Sequence, residues 1–227
     1  MTDRSGPNEL NKINNYDLKS IFSCYFGDNP DTNPYSNLDN SLDYTDIPLL
    51  ISKFKNKSDP IFLSLNIQSL PSKFNALKIL LNEFETNNIN IALIALQEIW
   101  NLNHHDLFSI PNYTFLYRQR QNTRGGGIGF YVKKHTSPVI NNTLSVFTEK
   151  VFECLTIDLT INKRKISVSN IYRSPQNDQD SLTNISEELN TFLSKLHRND
   201  LPYYIFLDSN INLLKIDHCA TAQKYIY

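Results

Sequence analysis

The sequence predicts an α/β fold with helices layered on sheets, and three observations predict it. Apolar runs of strand length recur from residue 60 to residue 207. Two longer segments repeat their apolar residues at helical spacing. Four of the strand-like runs end in a short polar cluster, as strands of open α/β sheets do where they give onto loops. The clusters are Asn66 in Leu65-Asn66-Ile67-Gln68-Ser69-Leu70, Glu98 in Leu96-Gln97-Glu98-Ile99-Trp100, Tyr172 in Tyr172-Arg173-Ser174-Pro175, and Asp208 with Asn210 in Leu207-Asp208-Ser209-Asn210.

Taken in order, the stretch from Met1 to about Ser58 is polar. Asp28, Asp31, Asp39, Asp43 and Asp46 follow one another with no Lys or Arg between them. It reads as a flexible leader with a short helix near Ile47 to Phe54. This divides the chain into an extension, residues 1–58, and a folded domain, residues 59–227. Ile61 to Leu65 is a strand ending at Asn66. Ser72 to Glu85 sets Phe74, Leu77, Leu80, Leu81 and Phe84 on one helical face, with Ser72 as N-cap. Ile89 to Leu96 is almost continuously apolar, which suits a strand covered on both faces. Tyr113 to Tyr117 and Gly127 to Val132 are strands, the second introduced by the Gly125-Gly126-Gly127 turn. Leu155, Ile157, Leu159 and Ile161 alternate with polar residues, a half-buried strand. Asn162-Lys163 turns it into Ile166 to Tyr172. Ser181 to His197 repeats apolar residues at helical spacing, and Tyr203 to Leu207 runs as a buried strand into Asp208. The sum is a layered α/β sheet sandwich rather than a simple doubly wound sheet.

Composition narrows the class. The chain has 227 residues, 40% hydrophobic and 20% charged, with a formal net charge of -1. That balance gives no global pull toward nucleic acid or an anionic membrane, so any nucleic-acid contact comes from a local basic patch. Cys24, Cys154 and Cys219 show no metal or redox spacing and read as reduced thiols. The N-terminus lacks a secretory pattern and no apolar run reaches membrane-spanning length. The expectation is an intracellular protein without a membrane partner, nuclear if it acts on genomic DNA.

The polar clusters suit phosphodiester cleavage, which needs charge neutralisation at phosphate, an activated water and a stabilised leaving oxygen. Magnesium, or manganese in its place, serves the first and third with one or two carboxylates. Glu98, held by a buried strand, is the metal-ligand candidate; alone it reads first as a helix-entry acid or a surface charge. Asp208 could take the proton of the attacking water, or be a loop acid. Asn66 could support metal and phosphate, and Asn210 could bond a phosphate oxygen, unless both are turn residues. Tyr172 could donate its phenol to the phosphate, or cap a sheet edge. Arg118, Arg120 and Arg124, interleaved with aromatic residues around the glycine turn, together with Arg173 beside Tyr172, are candidates for contacting a nucleic-acid backbone.

From about Phe62 to Leu214 the sequence resembles the endonuclease/exonuclease/phosphatase superfamily, and within it the apurinic-like endonuclease domain of non-LTR (LINE-type) retrotransposons. The four clusters carry the resemblance, together with Arg124-Gly125-Gly126-Gly127-Ile128-Gly129-Phe130-Tyr131-Val132, Asn170-Ile171 before Tyr172, and Ile211-Asn212-Leu213-Leu214 after Asn210. It implies a four-layer α/β sandwich that nicks DNA with a divalent metal. Glu98 and Asn66 would serve the metal, Tyr172 the phosphorus, Asp208 the water and Asn210 the phosphate. In such elements a reverse-transcriptase region follows. Leu207 and Ser209 depart from the family, which has Gly and Phe there. The family's distal Ser-Asp-His is not found, and Asp217-His218 follows Asp208 too closely to replace it. The chain thus reads as C-terminally truncated, with an open sheet edge and weak or no cleavage expected. The alternatives are a non-catalytic remnant that binds nucleic acid or protein, and a phosphatase of the same superfamily.

Overall fold

The computed structural model describes residues 47–55, 57, 59–175 and 179–210, with 179–182 by backbone alone. Cys24, Cys219, Asp217-His218 and the first 46 residues of the polar leader lie outside the described residues. The elements are α1 (Ile47–Phe54), β1 (Ile61–Asn66), α2 (Leu70–Thr86), β2 (Ile91–Gln97), β3 (Tyr113–Arg118), β4 (Ile128–Lys133), β5 (Val139–Ile140), β6 (Val146–Thr148), β7 (Phe152–Ile161), β8 (Arg164–Tyr172), α3 (Gln179–His197) and β9 (Tyr203–Asp208).

They form two sheets. One runs β1-β2-β4-β3; the other runs β5-β7-β8-β9, with β6 also paired to β7. The pairs β1/β2 and β8/β9 are parallel, and the other pairings are antiparallel. Each parallel pair is joined through a helix, α2 in one sheet and α3 in the other. A parallel pair linked by a crossover helix sends both strands the same way, so both C-terminal ends reach one rim.

The pleat builds the layers. Along β2, Leu93 and Ala95 face the second sheet while Ile94 and Leu96 face α2; along β4, Ile128, Phe130 and Val132 face the second sheet while Tyr131 faces α2. Leu155, Ile157 and Leu159 of β7 and Val168 of β8 complete the apolar seam between sheets. Phe152, Cys154 and Ile171 turn the other way, onto Ile185, Phe192 and Leu196 of α3. The order of layers is helix, sheet, sheet, helix, a four-layer α/β sandwich.

A polar bolt crosses the apolar seam. Asn170 of β8 donates through Nδ2 to the carbonyls of Leu96 (2.9 Å) and Gly129 (3.1 Å), and its Oδ1 accepts from Gln97 Nε2 at 2.5 Å. All three groups are buried, so the bonds fix the offset of one sheet on the other.

Local details differ from the sequence expectation, among them β9, expected buried but exposed at Tyr203, Tyr204 and Leu207. The N-cap of α2 is Ser69, whose Oγ accepts from the Ser72 N–H at 3.4 Å. Pro71, needing no N–H partner, fits the first turn and draws the helix start upstream of Ser72. In α1, Ile47, Leu50, Ile51 and Phe54 pack, partly buried, against the α2-side core. The short strands β5 and β6, two and three residues long, carry no alternation that marks them in the sequence.

Candidate active site

The ends of four strands, two from each sheet, meet at the seam. Asn66 ends β1, Glu98 follows β2, Tyr172 ends β8 and Asp208 ends β9. In the ladders Asn66 stands beside Gln97, and Tyr172 beside Asp208. Asn66 Nδ2 donates to Glu98 Oε1 at 3.0 Å and to Asp208 Oδ2 at 2.8 Å. Tyr172 donates its hydroxyl to the same Glu98 Oε1 at 3.0 Å. Thus one amide joins a carboxylate of the first sheet to a carboxylate of the second, and the phenol closes on their shared edge. Asn66 and Tyr172 are buried; Glu98 and Asp208 are half-buried.

The loops that carry these groups are wound tightly. Gln68, Ser69, Glu98 and Trp100 all adopt positive φ, 44°, 88°, 53° and 62°. Such backbone is costly for side chains other than glycine and persists where its surroundings hold it. Here the two loops hold each other: Ser69 N–H donates to the Glu98 carbonyl at 2.8 Å and Leu70 N–H to that of Ile99 at 3.1 Å. On the other flank Ile99 and Trp100 donate their N–H groups to the carbonyls of Gly127 (3.2 Å) and Gly126 (2.9 Å). Trp100 Nε1 reaches Glu98 Oε2 at 3.4 Å, and the Arg124 guanidinium lies 5.2 Å from the centre of its ring.

Electrostatics follow from burial and crowding. Burial is the main cause lifting the Asp208 carboxyl above its ordinary value, and the Glu98 charge adds to it, against the bonds from Asn66 and the Asn210 N–H. Burial first, then Glu98, pushes the Tyr172 phenol well above the usual range, so it remains a donor at neutral pH.

The amide of Asn66 is oriented by its neighbours. Its Oδ1 accepts from the Gln68 N–H at 3.3 Å, which leaves Nδ2 for the two carboxylates. It is a donor between acids rather than an oxygen offered to a cation. Asn210 gives its backbone N–H to Asp208 Oδ1 at 3.3 Å, while its Nδ2 donates to the Arg173 carbonyl at 2.6 Å. Its side chain therefore fastens the loop.

The four arginines part company. Arg118 and Arg124 are exposed at the rim where β3 ends and β4 begins, the end nearest Gln97. Arg120 and Arg173 lie inside, contrary to their expected place on a nucleic-acid surface. Arg173 donates through Nη1 to the carbonyls of Ser209 (3.1 Å) and Asn210 (3.4 Å). Arg120 pairs through Nε with Glu153 Oε1 at 2.5 Å and donates through Nη2 to Ser174 Oγ at 2.6 Å. Both guanidiniums are buried and bonded inside the fold, so neither stands on an outer surface offered to a nucleic-acid backbone. Glu153, Gln97 and Asn170 were not anticipated as supports; a charged or amide side chain within an apolar strand run is the signal that marks each of them.

For a cation, the donor set is Glu98 with Asp208. Among the described residues no three His, Cys, Asp or Glu side chains gather into a cage. Magnesium needs only one or two carboxylates and keeps waters for its other positions, and two neighbouring acids are an arrangement it relieves. The site fits such an ion.

No protein-family model and no curated protein matches the sequence. Among solved structures, the chain is similar to D. rerio TDP2 complexed with single-strand DNA product, at 13% identity and TM-score 0.47 over 71% of this chain and 65% of that one. It is similar to the endonuclease domain of TRAS1, a telomere-specific non-LTR retrotransposon, at 12% identity and TM-score 0.45 over 68% and 63%. It is similar also to the human nocturnin catalytic domain with bound sulfate, at 14% identity and TM-score 0.42 over 65% and 62%. The chain spans less than two thirds of the length of each of these three, and the likeness is one of fold.

Proposed function

We propose that this chain is a divalent-cation-dependent phosphodiester hydrolase of the endonuclease/exonuclease/phosphatase kind, acting on DNA and derived from a non-LTR retrotransposon endonuclease domain. The observation that carries the reading is the meeting of Asn66, Glu98, Tyr172 and Asp208 at one seam. The retrotransposon origin and the DNA substrate rest on the sequence motifs around Gly125-Gly126-Gly127 and Tyr172-Arg173-Ser174-Pro175, with exposed Arg118 and Arg124 offering backbone contacts.

Glu98 and Asp208 would hold magnesium or manganese, which when bound neutralises phosphate charge and stabilises a leaving oxygen. Asn66 keeps the two carboxylates apart yet in line by donating to both. Asp208, whose carboxyl burial raises above its ordinary value, can orient an attacking water and accept its proton. Tyr172 stays protonated and can donate to a phosphate oxygen as charge builds there.

The test is nicking of supercoiled plasmid with magnesium by the whole chain and by Glu98→Gln and Asp208→Asn. Each variant is expected to lose about a hundredfold or more in rate while DNA binding stays the same. Equal nicking by all three would sink the reading. DNA binding without nicking would favour a non-catalytic module, and turnover of small phosphate esters alone would favour a phosphatase.

A further inference from the structure

We propose that the buried Arg120–Glu153 pair is a positioning device for this site, holding the Glu98 loop and Tyr172 in their mutual geometry. The inference rests on the hydrolase reading above and assigns it two residues whose side chains form no hydrogen bond with those of Asn66, Glu98, Tyr172 or Asp208.

Four contacts run through the pair. First, Glu153 is the ladder neighbour of Tyr172, so its backbone sets the height of β8's last residue. Second, the Arg120 guanidinium lies 5.9 Å from the centre of the Tyr172 ring and bonds Ser174 two residues on. It therefore backs the ring and pins the segment that follows it. Third, Glu153 Oε2 accepts from the Gly127 N–H at 2.7 Å, and Oε1 accepts from Lys150 N–H at 3.2 Å. Fourth, a Cβ on Gly126 would meet the Arg120 guanidinium at 2.2 Å, so the glycine turn is moulded onto that group. The same turn receives the N–H groups of Ile99 and Trp100, which frame Glu98.

The chain of contacts thus runs from Tyr172 through Arg120 and Glu153 to the glycine turn, and from the turn to Glu98. Its two ends are the residues that meet at Glu98 Oε1. A pair needed only for stability has no reason to join both partners of one catalytic contact. Buried ion pairs replaced by apolar side chains often keep or gain stability, which separates stability from positioning.

The chain's single tryptophan, Trp100, supplies a readout independent of turnover, because its indole N–H points at Glu98. The experiment compares wild type, Arg120→Met/Glu153→Met and Arg120→Lys by thermal melting, by the Trp100 indole N–H resonance and by magnesium-supported nicking. Arg120→Lys keeps the charge and loses the fork that reaches Glu153 and Ser174 together. Both variants are expected to melt cooperatively with a displaced Trp100 resonance. The double variant should lose about tenfold or more in kcat with KM little changed, and Arg120→Lys somewhat less. Folded variants with the wild-type resonance and wild-type kcat would overturn the proposal. So would loss of folding in both, which would make the pair a prop of the fold alone. If wild type does not nick, the hydrolase reading fails by itself, and the Trp100 resonance still decides whether the pair orders the Glu98 loop.

Discussion

Asn66 is the residue on which the seam turns, because it is the only group bonded to both carboxylates in the contacts described. Its chemistry suggests a sharp test. Asn66→Asp keeps the shape but sets a third acid between two, replacing two attractions with two repulsions. It is expected to cost on the order of 2 kcal/mol, more than Asn66→Ala, by the penalty for a lost bond to a charged group plus like-charge crowding. Magnesium should narrow that difference. Thermal melts with and without the ion check it, and a variant as stable as wild type without magnesium would count against the arrangement. Each of the four side chains that meet at the seam stands in the sequence at the polar end of an apolar run. Their supports were not legible in this way. Arg120 and Glu153 are 33 positions apart and meet only because β3's extension and the start of β7 share a corner. No periodicity within a single segment reports such a meeting.

The elements were legible where pattern and length agree. β2, buried at all seven positions, and α2, with Phe74, Leu77, Leu80, Leu81 and Phe84 buried, lie close to where periodicity puts them. The two-residue turn Asn162-Lys163, with φ of 50° and 65°, joins β7 to β8 as hairpin chemistry requires. The glycine turn shows what pattern alone cannot say, namely what each glycine faces. At Gly125 a Cβ would have only Trp100 Nε1 near it, at 3.9 Å, with a φ of +86° to strain it. At Gly126 it would have the same kind of strain and a collision with Arg120. Gly125→Ala is therefore expected to cost about 1 kcal/mol and Gly126→Ala about 3 kcal/mol. Denaturant unfolding checks the order, and equal costs would argue against the moulding of the turn onto Arg120.

For the whole molecule, burial leaves a signature in alkali. Burial pushes the Cys154 thiol up to about 12. It also pushes the Tyr113 and Tyr131 phenols well above their usual value, with Glu85 adding to the effect at Tyr113. Unfolded, these groups ionise near about pH 8.5 and 10. Above about pH 9 the native state therefore holds more protons than the unfolded state, and stability falls as pH rises. Below that range the three contributions are complete. Melting temperatures are expected to be level from about pH 7 to 8 and to decline steadily toward pH 11. Tyr131→Phe, which cannot ionise, should flatten part of the decline; a level profile to pH 11 would contradict the buried state of these groups. A layered sandwich was foreseen from the run of strands and helices and its four layers from the family resemblance, whereas the offset between the sheets was not. That offset depends on Asn170 reaching two carbonyls in the opposite sheet.

Because Glu98 comes from one sheet and Asp208 from the other, anything that grips both at once behaves as a rivet through the sandwich. Occupancy of the seam would then resist shearing of the halves. Saturating magnesium at a hundred times its dissociation constant should add roughly 2.7 kcal/mol to stability. Asp208→Asn should forfeit most of that gain.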